Sequence, residues 1–337
     1  MRAVIMNGPF DVEVGTWETP KPAPGEVLVS VAASGICAGD MYCYLGKNPY
    51  VIFPQICGHE ISGTVAELGE GVAGPAPGTP VVVEPFIGCG ECYPCRIGKS
   101  NCCTNLRIIG VHQPGGYAEY VTAPADLIHL VPEGLSLVDA SFAEPVAIGV
   151  QACRRGEIGA EDVLVLGSGP IGLAVLEVAQ ARGVHVVMVD VVPDRLQTVA
   201  KFGADILIAD EHLLQKTLEM THGEGFPVVI DATGNTQALE STVDLVASGG
   251  RIVVLSLFKQ GVRVSFPALD LTRKEMTIVG SRASVNCFPE SLELMASGAV
   301  TYPKVATQFD MWDAPKVFAA LAENPAMVQK GVFVIEA

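Results

Sequence analysis

The fold follows from one stretch of the chain, Val163-Leu164-Val165-Leu166-Gly167-Ser168-Gly169-Pro170-Ile171-Gly172. The four apolar residues predict a buried strand, the glycines predict a tight turn, and Pro170 predicts the first turn of a helix. Strand and helix go on alternating to about residue 255, which predicts right-handed βαβ units and a parallel sheet with helices on both faces. The further predicted strands are 184–189, 228–231 and 251–255, and the predicted helices are 170–182, 193–202, 210–221 and 237–247.

The glycines of this stretch have the spacing of a dinucleotide-binding turn. Gly167 makes the tight turn, Gly169 lets the backbone approach a pyrophosphate, and Gly172 allows the helix to pack closely on the strand. The phosphates would lie at the positive end of the helix. The alternative is a glycine turn without a ligand, because the motif alone is common. The residues predicted here to contact the cofactor are Gly167, Gly169, Pro170, Ile171, Gly172 and Thr233.

An acidic residue ends the next predicted strand and indicates which dinucleotide binds. Asp190 would accept hydrogen bonds from both adenosine ribose hydroxyls and would repel a 2′-phosphate, so NAD is favoured over NADP. Arg195 is the residue that would offset that repulsion, either by stacking on the adenine or by pairing with a phosphate. The sequence therefore predicts NAD as the cofactor.

Four cysteines occur in the spacing C-x2-C-x2-C-x7-C within residues 88–104. Thiolates at ~2.3 Å from a Zn²⁺ ion need a tightly turned backbone, which the glycines of this segment permit. The alternative is a pair of disulfides, which a reducing compartment disfavours. Four protein ligands close the site, so its zinc would be structural, and Cys102 is left as a free thiol. The predicted ligands are Cys89, Cys92, Cys95 and Cys103.

Composition limits the class of protein. The chain has 337 residues, 49% of them hydrophobic, and at ~100–200 residues per domain it should form two domains. A formal net charge of −16 argues against nucleic acid as a partner, and no apolar run reaches the ~18 residues that a membrane helix needs. The opening Met1-Arg2-Ala3-Val4 carries no signal-like segment, so we expect a cytoplasmic protein.

A second group of possible metal ligands lies in the first half of the chain, where short β runs alternate with Gly and Pro. Cys37 follows one predicted strand, and His59 and Glu60 precede another. A thiolate, an imidazole and a carboxylate from separate strand ends can hold a zinc ion with a fourth position open for water or an alcohol. Taken singly, each of these residues is more often an ordinary core or surface residue. The β runs are 3–6, 26–33, 61–68, 79–84 and 117–122.

These motifs, in this order, resemble the zinc-containing medium-chain dehydrogenase/reductase superfamily over nearly the whole chain. The resemblance implies an α/β protein with a GroES-like β-rich catalytic domain (1–147 and 285–337) and a Rossmann domain (148–284). It also implies two zinc ions per subunit, NAD, and a homodimer or homotetramer joined at a sheet edge near residues 262–266. The segments 110–113, 115–120 and 280–282 resemble the polyol and sugar-acid branch, which includes L-galactonate-, L-idonate- and L-gulonate-5-dehydrogenase-like enzymes.

The resemblance also implies roles for individual residues at the catalytic zinc. Cys37 and His59 would be ligands, together with either Glu60 or Glu144, and Asp40 would orient the zinc histidine. Carboxylate at the position of Glu144 is the pattern of the polyol branch. The sequence leaves open which of the two acids binds the metal.

Two departures from the family pattern concern the proton relay. Gly39 stands where the family usually has Ser or Thr, and Tyr42 stands where it often has His. A water bridging to another base would replace the relay, because zinc already lowers the pKa of a bound alcohol toward ~7. The candidate bases are Tyr42, Tyr44, Glu60 and His112.

The predicted reaction is hydride transfer from a secondary alcohol of a polyol or sugar acid to NAD, giving the ketone. Arg282 would clamp a substrate carboxylate, or else contact the cofactor or form a structural ion pair. His112 and Gln113 would bind substrate hydroxyls, or else be solvent-facing loop residues. Two alternatives are an L-threonine dehydrogenase-like or general secondary-alcohol dehydrogenase. A further alternative is a non-catalytic nucleotide-binding relative, which Gly39 and Tyr42 alone favour.

Overall fold

The computed structural model describes residues 1–335 and forms two compact units. The first unit contains Met1–Glu144, Phe288–Ser297 and the residues from 302 onward, and the second contains Pro145–Cys287 and Gly298–Thr301. The sequence boundaries proposed above, after residues 147 and 284, lie three residues from the observed ones at 144 and 287. Among the described residues, no helix is long and apolar enough to cross a bilayer.

Strands are the commoner regular element in the first unit and alternate with helices in the second. The strands within residues 1–335 are β1 Arg2–Gly8, β2 Asp11–Thr16, β3 Glu26–Ile36, β4 Glu60–Leu68, β5 Pro80–Val83, β6 Phe86–Ile87, β7 Arg107–Ile108, β8 Tyr120–Pro124, β9 Ile128–Leu130, β10 Val163–Leu166, β11 Val186–Asp190, β12 Asp205–Ile208, β13 Phe226–Asp231, β14 Val246–Val254, β15 Thr277–Gly280, β16 Ala306–Asp310 and β17 Lys330–Val334.

The helices are short in the first unit and longer in the second. They are α1 Ala38–Tyr44, α2 Tyr93–Arg96, α3 Leu137–Ala140, α4 Ala143–Arg155, α5 Pro170–Ala181, α6 Pro193–Ala200, α7 Leu213–Met220, α8 Thr236–Leu245, α9 Ala268–Arg273, α10 Phe288–Ala296 and α11 Ala314–Glu323, with 3-10 turns that include Tyr302–Val305.

The first unit is built on a seven-stranded sheet. Its strand order is β16-β17-β3-β4-β5-β9, and β8 pairs with β3. β17, the last strand of the chain, lies antiparallel to β3, with Gly331 opposite Ile36. A packed aromatic group that includes Tyr117, Phe318 and Phe333 lies in the core of this unit. The pairing of β17 with β3 brings the end of the chain to the strand that precedes Cys37.

The second unit is the predicted doubly wound fold. Six parallel strands have the order β12-β11-β10-β13-β14-β15. Every residue of β10 and β11 is buried, as expected for strands covered by helices on both faces. The order reverses at β10, so the turn after β10 lies at the point where such folds bind nucleotides.

The segment expected to form a sheet edge does not do so. Residues 262–266 contain no strand, and the sheet ends at β15 instead. Gly261 has φ +84° in a turn after Lys259, and Pro267 caps α9, so the intervening residues run between a turn and a helix. The expectation, taken from the family resemblance, that a sheet edge lies near 262–266 was wrong, because the edge strand is β15, which follows α9.

Candidate active site and metal centres

Three of the predicted ligands converge in the first unit. Cys37 is the N-cap of α1 directly after β3, His59 precedes β4, and Glu60 is its first residue. One ligand atom from each of the three lies within 4.8 Å of the other two. Antiparallel pairing of β3 with β4 causes this convergence, since Gly35 lies opposite Glu60. Thiolate, imidazole and carboxylate oxygen together form a donor set that suits Zn²⁺.

Asp40 ties the segments that carry two of these ligands. Its Oδ2 accepts from the backbone N of Cys37 at 2.9 Å, and its Oδ1 accepts from the backbone N of Gly58 at 3.3 Å. The hydroxyl of Tyr117 donates to Oδ2 at 2.8 Å. Oδ1 lies 3.7 Å from His59 Nδ1, which is too long for a hydrogen bond.

The imidazole of His59 is held in a strongly negative environment. Burial acts to lower its pKa, but the charges of Asp40, Cys37 and Glu144 outweigh burial and raise the pKa well above 6.5. Nδ1 is buried and has no hydrogen-bond partner among the described residues. A buried imidazole beside three anionic groups is the arrangement expected of a site built for a cation, so the residues fit zinc.

Glu60 is paired with a residue that the sequence analysis missed, Lys330 on β17. The Lys330 Nζ donates to Glu60 Oε1 and, at 3.0 Å, to the carbonyl oxygen of Ile36. The second carboxylate oxygen, Oε2, is buried without a partner in the described chain. It lies against Gly35, where a Cβ would come within 1.9 Å of it. Burial lowers the pKa of Lys330, but the charge of Glu60 more than reverses this, so the lysine stays charged.

Glu144 lies beside the group of three ligands but is not part of it. The residue is buried in the first turn of α4. Burial raises the pKa of its carboxyl to about 7, with His59 opposing this shift and Glu60 adding to it. The structure therefore brings Cys37, His59 and Glu60 together and places Glu144 within their electrostatic reach.

The structure leaves room for a side chain at Gly39 and turns Tyr42 to the surface. A Cβ on Gly39 would lie 3.8 Å from both Cys37 Sγ and His59 Cε1, which is ordinary contact. Tyr42 is 55% exposed. Tyr44 is buried, and its ring stacks on that of Phe318.

The predicted substrate residues His112 and Gln113 lie in the loop that follows β7. His112 is exposed, its Nδ1 accepts from the backbone N of Ile108 at 3.0 Å, and partial burial of the ring lowers its pKa. Gln113 is half-buried, and its carbonyl oxygen accepts from the backbone N of Gly110. The Nε2 of His112 remains available for a further polar contact.

The four cysteines of the loop between β6 and β7 form a second cluster. All four sulfur atoms lie within 4.8 Å of one another. The Cys92 sulfur is 3.4 Å from that of Cys95 and 3.7 Å from that of Cys103, beyond the ~2.05 Å of a disulfide. A tetrahedron with Zn–S of ~2.3 Å has edges of roughly 3.8 Å, so these spacings fit one zinc. Cys102 is exposed and outside the cluster.

Backbone amides donate hydrogen bonds to sulfur atoms of the cysteine cluster and so favour the thiolate form. The Cys103 sulfur accepts from the backbone N of Cys89 and of Asn105, each at 3.3 Å. Hydrogen bonds from the backbone of Cys95 and Thr104 lower the pKa of Cys92 to about 6. Burial and the neighbouring thiols raise the pKa of Cys95 to about 12. A cation is the partner that would let all four sulfurs ionise together.

The glycine turn after β10 has the predicted geometry. Gly167 has φ +98°, which favours glycine. A Cβ on Gly172 would come within 1.9 Å of the Gly167 carbonyl oxygen, whereas a Cβ on Gly169 would meet no atom within 4 Å. The open space at Gly169, the N-cap of the twelve-residue α5, fits a pyrophosphate at the helix N-terminus.

Asp190 is held at the end of β11 by the same turn. Its Oδ2 accepts from the backbone N and the hydroxyl of Ser168, both at 2.7 Å, and its Oδ1 accepts from Val192 N at 3.0 Å. Burial acts to raise its pKa, but these hydrogen bonds and the charge of Arg195 lower the pKa overall. The carboxylate stays ionised, as an acceptor for ribose hydroxyls must be.

Three further predicted residues belong to the second unit. Arg195 is exposed near Asp190. Thr233 donates its backbone N and hydroxyl to Asp231 Oδ1, at 3.2 Å and 2.5 Å. Arg282 is exposed after β15.

Comparisons with known proteins agree with this geometry. The family Alcohol dehydrogenase GroES-like domain matches residues 23–133, and the family Zinc-binding dehydrogenase matches residues 170–297. L-galactonate-5-dehydrogenase of Escherichia coli (strain K12) is 36% identical over 96% of this chain and 94% of its own. L-threonine 3-dehydrogenase of Pyrococcus horikoshii is 36% identical over 83% of this chain and 82% of its own.

One solved structure is similar to this chain over nearly its whole length. The crystal structure of a short chain alcohol dehydrogenase from E. coli CFT073, complexed with NADH, has a TM-score of 0.92 and 30% identity and covers 99% of both chains. The chain therefore belongs to the zinc-type alcohol dehydrogenase family, in the branch that contains sugar-acid dehydrogenases. The predicted family and fold class are confirmed.

Proposed function

We propose that this protein is a zinc-dependent dehydrogenase that transfers a hydride from a secondary alcohol of a polyol or sugar acid to NAD, giving the ketone. The convergence of Cys37, His59 and Glu60 carries the proposal. These three residues offer donors that suit zinc while leaving a position free for a hydroxyl.

In this mechanism the residues of the first unit would bind the metal and orient its ligands. Cys37 and His59, with Glu60 or Glu144, would bind the metal, and Asp40 would fix the imidazole through Nδ1. Zinc would supply Lewis acidity that lowers the pKa of a bound hydroxyl. Water would carry the hydroxyl proton away, because Gly39 has no side chain and Tyr42 is turned to the surface.

The second unit would bind the cofactor through the predicted residues. The open backbone at Gly169 supports pyrophosphate binding, and the ionised Asp190 supports NAD over NADP, because a 2′-phosphate would be repelled. The cluster of Cys89, Cys92, Cys95 and Cys103 would hold a second, structural zinc. We expect a cytoplasmic location.

Sugar acids are the preferred substrate class because the relatives include L-galactonate-5-dehydrogenase, and Arg282 would clamp the carboxylate. L-threonine is the second candidate. The Pyrococcus horikoshii threonine dehydrogenase matches at the same 36% identity, and threonine also carries a carboxylate. We expect a homodimer or homotetramer, which light scattering would measure.

The test combines metal analysis with a substrate panel. Purified protein is assayed for NADH absorbance with L-galactonate, L-idonate, L-gulonate, a neutral polyol and L-threonine, with NAD and with NADP, beside Cys37→Ala. We expect two zinc ions per chain and oxidation of at least one sugar acid with NAD. One zinc per chain and no turnover of any alcohol would favour the non-catalytic relative instead.

Arg282→Ala separates the substrate classes. The substitution should raise KM for a sugar acid at least tenfold and leave neutral polyols almost unchanged, because only the acid carries the carboxylate. An equal loss on acids and neutral polyols would contradict the clamp.

A further inference from the structure

The segment 281–286, which follows β15 in the second unit, contains two residues in a rare backbone conformation. Ala283 has φ +44° and Asn286 has φ +53°, both in the left-handed region. Asparagine adopts this conformation fairly readily, but alanine does so only at an energetic cost. Strained residues persist where the surrounding structure holds them, and they are concentrated at functional sites.

Two consecutive arginines at the end of α4 hold the two ends of this segment. Arg155 Nε donates to the carbonyl oxygen of Gly280, directly before the segment, at 3.0 Å. Arg154 Nη1 donates to the carbonyl oxygen of Asn286, the last residue of the segment, at 2.9 Å, and to the sulfur of Cys287 at 3.3 Å. Because both arginines belong to the last turn of one helix, they fix the separation of the segment's two ends.

Within the segment, the exposed residue Arg282 lies between two anchored positions. Ser281 and Ser284 are buried, at 6% and 1% exposed, whereas Arg282 is exposed. The backbone N of Ser281 donates to the carbonyl oxygen of Val254 at 2.9 Å, so the segment begins as a continuation of the parallel sheet. The guanidinium of Arg282 therefore extends from a backbone that is fixed at both ends.

The segment lies on the edge of the sheet where the cofactor is proposed to bind. All six strands of the sheet are parallel, so the carboxyl ends of β10 and β15 are on the same edge. Strands β13 and β14 separate them, which places the segment roughly 14 Å from the glycine turn at the usual strand spacing. Ligands of doubly wound folds bind outside this edge, so Arg282 lies on the ligand-binding side of the unit.

We propose that Arg154 and Arg155 are positioning residues that hold the segment 281–286 in its left-handed conformation and so orient Arg282 toward the carboxylate of the substrate. A guanidinium binds a carboxylate best through two parallel hydrogen bonds, which require a defined orientation. A segment that is already held loses less entropy when the substrate binds. The inference rests on the proposed role of Arg282, but not on whether the acid is a sugar acid or L-threonine.

Hydrogen exchange of the full-length protein, measured by mass spectrometry, tests whether the arginines hold the segment. Arg154→Met and Arg155→Met should each increase the exchange rate of the amides of 281–286 about fivefold or more, because each releases one end. Arg251→Met is the matched control, since Arg251 Nε donates to the carbonyl oxygen of Gly156 instead. Exchange as in the wild type for both arginine variants, or an equal increase in the control, would overturn the proposal.

Kinetics separate positioning from a general loss of stability. Arg155→Met should raise KM for the acid substrate about fivefold and leave kcat, KM for NAD and KM for a neutral polyol unchanged. Added to Arg282→Ala, it should cause no further loss, because both substitutions act through one guanidinium. Equal losses on the acid and the neutral polyol, or additive losses in the double mutant, would contradict the proposal. Arg154→Met releases the opposite end and provides the same comparison if Arg155→Met does not fold.

Failure of the proposed function gives a different result. If Arg282→Ala impaired acids and neutral polyols equally, the carboxylate clamp and its positioning would both be overturned, whatever the exchange rates. If Arg282→Ala impaired acids alone while both α4 arginine variants exchanged as the wild type does, the proposed function would stand and this inference would fail. If the wild type oxidised no alcohol, calorimetric binding of L-galactonate and of L-threonine would replace KM in the same comparison.

Discussion

Lys330 and Glu60 form an ion pair inside the first unit, with side chains only 3% and 1% exposed. The pair joins Lys330, the first residue of β17, to Glu60, the first residue of β4. Strand β17 therefore holds one of the three residues that converge at the candidate zinc site. Removing one partner of such a pair leaves an uncompensated buried charge.

Lys330→Met is therefore predicted to destabilise the protein by about 3–5 kcal/mol. Urea unfolding would measure this loss, and the double mutant Lys330→Met with Glu60→Gln should recover most of it, since no charge is then left unpaired. Lys316→Met is the matched control, because its ion pair with Asp313 is on the surface and 84% of the lysine side chain is exposed. Equal effects of the two lysine substitutions would contradict a structural role for the buried pair.

Gly39→Ser is predicted to increase the rate. A Cβ at position 39 would lie 3.8 Å from Cys37 Sγ and from His59 Cε1, so there is space for a side chain beside these two residues. A serine hydroxyl at this position would accept the substrate proton directly. We expect kcat to rise about tenfold at neutral pH, less than the ~10²–10⁴-fold that a general acid–base group typically contributes, because zinc already lowers the pKa of the bound hydroxyl. Gly39→Ala fills the same space without a hydroxyl and should not accelerate the reaction. Equal rates for the two variants would show that proton transfer does not limit turnover.

Cys103→Ser tests the cysteine cluster. It should remove one zinc per chain and lower the melting temperature by about 5 °C or more, because a structural zinc contributes directly to folding. Cys102→Ser is the control, since Cys102 is adjacent but exposed and outside the cluster. Metal analysis and calorimetry measure both effects, and identical behaviour of the two variants would be inconsistent with a zinc bound by these four thiols.

The ion pairs of His185 should make the stability of the protein depend on pH. Its Nε2 lies 3.0 Å from Asp205 Oδ2 and its Nδ1 lies 3.3 Å from Asp162 Oδ2, at the start of β12 and before β10. The hydrogen bond to Asp205 raises its pKa above 6.5, with burial opposing and Asp162 adding. The stabilisation is thus complete below pH ~6.5 and is lost as the pH rises through the raised pKa.

The measurement for His185 is an NMR titration of its ring. Asp205→Asn should move the pKa back toward the ordinary value and flatten the pH dependence of stability over the same range. His212, which is 61% exposed beside Glu211, serves as an internal reference in the same spectra. A wild-type pKa at or below the ordinary value would contradict the ion pair.

Local signals made the second unit predictable. The turn from Gly167 to Gly172 needs glycine for steric reasons that act within six residues, so the sequence alone indicated strand, turn and helix. The ends of the helices were less predictable, because they depend on strand pairing between residues that are distant in sequence. The helix predicted for 237–247 ends at Leu245, since Val246 already pairs with Phe226 in the parallel sheet.

The metal cluster was predictable in part. The ligands Cys37, His59 and Glu60 follow a recognisable pattern, but Lys330 contacts Glu60 from a strand that is 270 residues further along the chain. No local spacing reveals contacts over such separations. The only signal was chemical, a lysine opening the apolar strand Lys330–Val334.

The central claim is that Cys37, His59 and a neighbouring carboxylate hold a zinc ion apart from the four-cysteine site. Zinc X-ray absorption of the full-length protein tests it most directly. Five thiolates shared by two ions, four at one site and one at the other, predict about 2.5 sulfurs per zinc and two zinc ions per chain. Cys37→Ala should retain one zinc with about four sulfurs. One zinc per wild-type chain with only sulfur neighbours would contradict the account.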